Sequence, residues 1–319
     1  MESAPKVAVV IPTRNRETRV AFALEAIGAQ TLPRDQFEVV VVRDSSQAGP
    51  FAKPPEGLTV RYLTYSGSSG PTAKRNVGWR STTAPLVAFT DDDCRPAPDW
   101  LERMIQAEED GTFLTGRTEP DPDEIHLLRG LARSRTVVGP SEWYPCCNVA
   151  YPRAMLDRLD GFDESFYFGG EDTDLALRAR KAGARAQYVH EALVWHAVLS
   201  RTLIDAFREA VAWPSLPLVI SRHPEQRRHL YLSFFRNEAH AKLALAVLGS
   251  AALRARPAFA LAMWLPYLAH HLRSELHTPS PVPVKLARGS LRLPSLLLVE
   301  LVEMAATARA AWRHRVAVA

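Results

Sequence analysis

The chain has 319 residues, 39 Lys+Arg against 35 Asp+Glu and 47% hydrophobic residues, which excludes a largely disordered protein and leaves room for one large domain or two ordinary ones. Its three cysteines, Cys94, Cys146 and Cys147, form no C-x-x-C pair, which argues against a disulfide scaffold, a structural zinc site and a redox motif; unpaired thiols suit a reducing compartment. The net charge of +4 is uneven: residues 201–319 carry 16 Lys+Arg against 7 Asp+Glu (+9), and the first 200 carry 23 against 28 (−5). An acidic front and a basic back suggest two jobs, unless the tail is simply Arg-rich with solvated helix faces.

The start, Met1-Glu2-Ser3-Ala4-Pro5-Lys6, has no basic leader, apolar core or cleavage site, so a cytoplasmic protein is expected, at most touching the inner face of the cell membrane. Uncharged runs reach about a dozen to sixteen residues, short of the roughly 20 that cross a bilayer.

Lys6–Ile11 is a continuous β-branched run, expected to form a buried parallel strand ending at Pro12. Thr18–Gln30 places Val20, Leu24 and Ile27 at helical spacing. Phe37–Val42 reads as a second buried strand, ended by Arg43-Asp44-Ser45-Ser46. A Pro/Gly/Ser-rich loop follows, and Leu58–Leu63 suits a third strand. The Gly67–Pro71 turn opens a helix near Thr72–Ser81, and Pro85–Thr90 is another buried strand that runs into Asp91-Asp92-Asp93. This alternation implies a mostly parallel α/β sheet, in which ligands bind at the carboxyl ends of strands. Residues 111–170 read as loop-rich. A helix starts after Gly169-Gly170-Glu171-Asp172 and stops at Gly183. Beyond about 200 the pattern becomes Ala/Leu/Arg-rich helices punctuated by Pro214, Pro217, Pro224, Pro257, Pro266 and Pro279–Pro283. Two domains are expected, 1–200 and 201–319.

Three carboxylates ending a hydrophobic strand repel one another unless a cation or shared proton compensates. On an extended backbone Asp91 and Asp93 share one side and Asp92 the other. The first two then suit Mg²⁺ or Mn²⁺, hard cations that leave positions open for phosphate oxygens; the plainer reading is an acidic turn. Asp44, at the matching end of its strand, can accept from a nucleobase or ribose, although Asp-Ser-Ser is also an ordinary turn. Arg75 and Asn76, behind the glycine turn, can contact a diphosphate or base, or merely occupy a surface helix. Glu171 and Asp172 can cap a helix or supply a general base. His196, after an apolar stretch, can complete a metal shell or be structural.

Several ordered blocks together resemble the family 2 glycosyltransferases, inverting enzymes of the GT-A fold. They are VAVVIPTRNR at 7–16, VVVVRDSS at 39–46, GPTAKRNVGW at 70–79, LVAFTDDDCRPAPDWL at 86–101, CNVAYPRAMLDRLDGFDESFYFGGEDTDLALRARKAGAR at 147–185 and ALVWH at 192–196. The resemblance implies an α/β GT-A catalytic domain over 1–200 and a helical region over 201–319. Asp91–Asp93 match the metal- and diphosphate-binding motif, with Asp93 the first candidate for direct ligation; Asp44 matches the base-reading carboxylate, and Pro12, Thr13 and Arg14 match the loop beside it. Arg75 and Asn76 match the block lining the nucleotide pocket, Asp172 in its Glu171-Asp172 pair matches the catalytic base, and His196 matches a histidine completing the metal site in some members. Many members carry Asp-Asp where this chain has Arg43-Asp44, so base recognition is expected to differ. The implied reaction moves a sugar from a nucleotide-diphosphate donor, UDP- or dTDP-type favoured, to an acceptor hydroxyl with Mn²⁺ or Mg²⁺, and the acceptor loops fall at 119–147.

A sugar-phosphate nucleotidylyltransferase is disfavoured because Ile11-Pro12-Thr13-Arg14-Asn15 is not a Gly-rich loop, and a P-loop nucleotidase because G-x-x-x-x-G-K-[ST] is absent. A catalytically inactive, membrane-docked binding or assembly protein is the remaining rival; intact Asp91, Asp93 and Asp172 argue against it. In the tail, Lys242–Leu253 and Pro257–Leu272 are apolar with Arg254 and Arg256 between them, and His270, His271 and Arg273 follow. They suit a membrane interface, with Leu243, Leu245, Trp264 and Leu265 inserting, or helices that pack on the catalytic domain or a second copy of the chain.

Overall fold

A computed structural model describes residues 4–46, 49–67, 70–212, 215–276 and 282–319. Parts of the loop after Ser46 and of the Gly67–Pro71 turn, Pro214 and Pro279–Pro281 lie outside the described residues. The chain forms two compact units, residues 1–200 and 201–319.

In the first unit the order is β1 (Val7–Thr13), α1 (Glu17–Gly28), β2 (Phe37–Asp44), β3 (Val60–Tyr65), α2 (Pro71–Arg80), β4 (Leu86–Phe89), β5 (Cys94–Pro96), α3 (Trp100–Gln106), β6 (Thr112–Pro120), β7 (Val149–Pro152), α4 (Arg153–Leu159), α5 (Glu171–Lys181) and β8 (Arg185–His196). The strands join in one eight-stranded sheet ordered β3-β2-β1-β4-β7-β6-β8-β5. The first four in that order are parallel, β7 runs antiparallel to both neighbours, β6 and β8 are parallel, and β5 is antiparallel to β8. All seven β1 residues are buried, as a strand covered on both faces requires. Val7, Val9 and Ile11 pack with Val20, Leu24 and Ile27 of α1 and Trp100, Leu101 and Met104 of α3. Val10 turns to the opposite face, with Trp79 of α2, Leu156 of α4 and Leu175 of α5. The three cysteines are buried, Cys94 and Cys147 on the first face and Cys146 on the second.

One reading of the sequence is corrected here, and two others are refined. Pro12 does not end β1, which runs on to Thr13. The β1–β4 ladder already stops at Val10–Phe89, so past that point only β2 remains as a partner and a missing N–H costs little. Residues 111–170 are loop-rich as expected, with β6, β7 and α4 set among the loops. Of the residues offered for membrane insertion, Leu243 is fully buried and Trp264 packs against the same small core, as the packing alternative has it.

The second unit contains α6 (Leu203–Ala212), α7 (Leu216–Arg222), α8 (Glu238–Ser250), α9 (Pro257–Leu276) and α10 (Val282–His314). Asn237 caps α8 by accepting from the His240 N–H at 2.9 Å. Leu243, Ala246 and Tyr267 form its core, with Leu297 and Met304 of α10 against them. His271 faces Glu300 at 3.3 Å and His270 faces Glu238 at 3.5 Å, so neither ring is free. Among the described residues no helix is long and apolar enough to cross a membrane.

Helix α2, which carries Lys74 and Arg75, lies close to β1 because residue 78 has no side chain; a Cβ there would collide with Val10 Cγ1. Val10 is fully buried and β-branched, and cannot give way. Gly78→Ala is therefore expected to destabilise the protein by about 1–3 kcal/mol, the usual range for overpacking, as a lower midpoint in urea unfolding.

Candidate active site

The parallel strands β1, β2 and β4 end side by side, which brings Thr13, Asp44 and Asp91–Asp93 to one edge of the sheet. The Asp triplet is not extended. The Cys94 N–H donates to the Asp91 carbonyl at 3.2 Å, closing a turn from which Asp91 meets Arg75 while Asp92 and Asp93 share Arg16. Asp91 accepts from Arg75 Nη2 at 2.6 Å. Asp92 accepts from Thr13 Oγ1 at 2.7 Å and Arg16 Nη1 at 3.2 Å. Asp93 accepts from Arg16 Nη1 at 2.8 Å and faces His196 Nε2 at 3.6 Å. The expected pairing of Asp91 with Asp93 is thus corrected: Asp93 and His196 are brought together, and Asp91 is drawn off by Arg75. Burial, with Asp93 beside it, pushes the Asp92 carboxyl up to about 7 against the pull of Arg16 and Thr13.

Register explains how Asp93 meets His196, which is 103 residues away in the chain. Cys94 of β5 pairs with His196 of β8, and the Ala197 N–H donates to the Asp93 carbonyl at 2.8 Å. His196 Nδ1 lies 2.8 Å from the Ala197 carbonyl. That contact places the ring proton on Nδ1 and leaves the Nε2 lone pair toward Asp93, the tautomer a metal ligand needs. Ligand atoms of Asp93, Cys94 and His196 lie within 4.8 Å of one another. A carboxylate oxygen and an imidazole nitrogen suit a divalent cation such as Mn²⁺. The Cys94 thiol is a poor third ligand, because burial holds it protonated well above its ordinary pKa.

The second cluster begins where Gly169 and Gly170 adopt positive φ (81° and 85°), a conformation that turns the chain into α5. Glu171 is buried and accepts from Arg75 Nη1 at 2.7 Å. Burial and the neighbouring Asp172 push its carboxyl up to about 7, against the pull of Arg75. Asp172 reaches the surface in part. Its Oδ1 accepts from the Thr173 N–H at 2.8 Å and its Oδ2 from the Cys146 N–H at 3.3 Å, while desolvation raises its pKa. Arg75 is itself buried, so one guanidinium ties the end of β4 to the start of α5.

Around Asp44, Oδ1 accepts from the Ser46 N–H at 3.1 Å and Ser46 Oγ at 2.7 Å. These bonds depress its pKa, with help from Lys74 and Arg14. Among the described residues Oδ2 accepts no hydrogen bond, and it lies 3.9 Å from the buried Lys74 Nζ. Arg14 is exposed and Pro12 is buried in β1. Arg43 leaves this group: its guanidinium stacks on the Phe51 ring at 3.6 Å and donates to the Gly49 carbonyl at 3.0 Å.

Asn76 does not join the pocket. Its Nδ2 donates to the Phe162 carbonyl at 2.8 Å and to Glu164 Oε1 at 2.9 Å, and its Oδ1 accepts from Trp79 Nε1 at 3.0 Å and the Phe162 N–H at 3.0 Å. With every donor and acceptor engaged it is a bolt between α2 and the segment before α5. Lys74, one residue before Arg75, is the member of that block that reaches Asp44. Sequence reasoning passed over it, and over Arg16, although both stand inside the blocks quoted above.

The family described as Glycosyl transferase family 2 matches residues 8–162. The pre-mycofactocin glycosyltransferase of Mycobacterium tuberculosis is 27% identical over 242 residues, covering 71% of this chain and 50% of that protein. Glycosyltransferase AglE of Haloferax volcanii is 34% identical over 209 residues, covering 60% of this chain and 67% of that protein. The chain thus spans about half the length of the mycobacterial relative. A mannosyltransferase of Pyrobaculum calidifontis, solved with GDP-Man and Mn²⁺, shares the fold with a TM-score of 0.57 at 20% identity, covering 98% of this chain and 88% of that one.

Two outcomes follow from Arg75 and Glu171. Arg75→Met leaves Asp91 and Glu171 without their cation and is expected to cost about 3–5 kcal/mol of unfolding free energy, measured in urea. Because the Glu171 carboxyl binds its proton more tightly folded than unfolded, its contribution is full below the ordinary carboxylate range and is lost as pH rises through about 7. The melting temperature of the metal-free protein should therefore fall between pH 4.5 and 7 by less in Glu171→Gln than in the parent.

Proposed function

The chain belongs to the family 2 glycosyltransferases, and from that premise we propose that it transfers a sugar from a nucleoside-diphosphate sugar to an acceptor hydroxyl with inversion at the anomeric carbon. The observation that carries this reading is the double ion pair of Arg75, which sets the Asp91–Asp93 turn and the partly exposed Asp172 on one framework.

Asp44 and Lys74 receive the nucleoside, with Asp44 Oδ2, which faces Lys74, as the acceptor for a base or ribose donor. Asp93 and His196 would hold a divalent cation, Mn²⁺ or Mg²⁺, which when bound would offset the charge that grows on the diphosphate leaving group. Arg16 stands beside it with its guanidinium partly exposed, in reach of phosphate oxygens. On the acceptor side Asp172 takes the proton of the attacking hydroxyl. Two backbone N–H groups orient its carboxylate, and burial raises its proton affinity, both of which suit a general base. Attack from the face opposite the diphosphate inverts the anomeric centre in one displacement. A UDP- or dTDP-sugar is the proposed donor; GDP-Man, bound by the archaeal mannosyltransferase, joins the panel to be tested. Nothing in the site favours an inactive binding protein.

The decisive experiment follows nucleoside diphosphate release from UDP-, dTDP- and GDP-sugars with and without Mn²⁺; no release from any donor with any acceptor tried would overturn the reading. Asp172→Asn keeps the shape of the carboxylate but cannot accept the proton, so turnover should fall by about 10²–10⁴-fold with donor affinity nearly unchanged in calorimetry. Asp93→Ala should weaken nucleotide binding only when Mn²⁺ is present, whereas Asp44→Ala should weaken it in either condition. Equal metal dependence in the two variants would contradict the division of labour between them.

A further inference from the structure

The α8–α9 hairpin exposes apolar side chains close to exposed arginines. Its inner face is satisfied: Leu243, Ala246 and Tyr267 are buried, and Gly249 lets α8 approach Met263 closely. At its tip, where α8 ends and residues 251–256 turn into α9, Leu248, Leu253, Phe259 and Leu261 are 72%, 53%, 51% and 64% exposed. Arg254 and Arg256 stand exposed in the turn between them. From Ala239 to Ser274 the sequence contains no Asp or Glu and four cations, Lys242, Arg254, Arg256 and Arg273. Large apolar residues on a surface point to a partner. Here they flank an exposed turn, and the charge in that stretch of sequence is of one sign. That combination matches an anionic lipid surface, into which leucine and phenylalanine dip while arginines meet the head-group phosphates. Among the described residues no helix is long and apolar enough to span, so the contact lies in the plane of the interface.

We propose that the tip of the α8–α9 hairpin docks the protein onto anionic membrane, with Leu248, Leu253, Phe259 and Leu261 entering the interface and Arg254 and Arg256 binding lipid phosphate. The inserting set differs from the one read in the sequence, because Leu243 belongs to the core and Trp264 is turned inward, where its Nε1 donates to Ser250 Oγ at 3.0 Å.

The test is cosedimentation of the full chain with vesicles of neutral phosphatidylcholine, or of the same lipid with about one third phosphatidylglycerol, at low and high salt. The protein should pellet with the anionic vesicles alone, and less as salt rises, since surface charge is screened within about 8 Å at physiological ionic strength. Arg254→Gln with Arg256→Gln should lower the partition coefficient roughly 30-fold, about fivefold per charge. Leu253→Ser with Phe259→Ser should also weaken it, with an unchanged melting temperature showing that the fold persists. Three results would overturn the proposal: no binding to anionic vesicles, binding that neither pair of substitutions changes, or a dimer in solution that Leu261→Asp dissociates in a chain that ignores vesicles. The readout is independent of sugar transfer, so it succeeds or fails apart from the assignment of the active site.

Discussion

A single guanidinium sets the geometry of the first unit. Arg75 is buried, and an isolated buried cation would be expelled or would unfold its surroundings. It persists because Asp91 and Glu171 each accept from a different nitrogen of its fork, at 2.6 and 2.7 Å. Two pieces of chain separated by 80 residues are thereby held at a fixed spacing: the turn that ends β4 and the first residue of α5. A lysine could satisfy one of these carboxylates, but its point charge lacks the fork that reaches both in defined directions. The site therefore depends on an interaction that touches neither sugar nor acceptor in the proposed reaction.

The same ion pairs separate the roles of neighbouring carboxylates. Glu171 and Asp172 are adjacent, yet one is consumed by Arg75 and the other is left partly exposed with its oxygens oriented by backbone N–H groups. Among the three aspartates, Asp91 is held by Arg75, while Asp92 and Asp93 share Arg16, with Thr13 donating to Asp92 and His196 facing Asp93. Like charges crowded at one sheet edge are tolerated because Arg75 offsets Asp91 and Arg16 is shared by Asp92 and Asp93, and a turn rather than a strand makes those directions available.

Legibility in the sequence followed how local the signal was. β1, β2 and β4 were readable because a strand covered on both faces must be apolar throughout, and α1 because Val20, Leu24 and Ile27 keep helical spacing. β6 was not, since Thr112–Pro120 mixes polar residues and a glycine into a buried strand. Its reason is distant: the β6–β8 register slips between Gly116 and Arg117, and Asn148 donates to the Arg117 and Ala192 carbonyls at 2.8 Å each to make good the interruption. No periodicity announces a side chain 31 residues away completing a strand. In the site, Asp44, Arg75, Asp93, Asp172 and His196 stood out by type and position, whereas the turn at Asp91–Asp93, the saturation of Asn76 and the reach of Lys74 are set by tertiary contacts.

The burial of Cys94, Cys146 and Cys147 in the two faces of the sheet has a practical consequence. The folded protein offers alkylating reagents no accessible native sulfur, and burial further suppresses the thiolates of Cys94 and Cys146. A cysteine introduced at an exposed position would thus be the dominant nucleophile toward a maleimide, and an environment-sensitive dye placed there would report from one known point without a cysteine-free background having to be built. The native thiols would in turn become reactive as the sheet opened, so their rate of labelling would time the unfolding of the first unit.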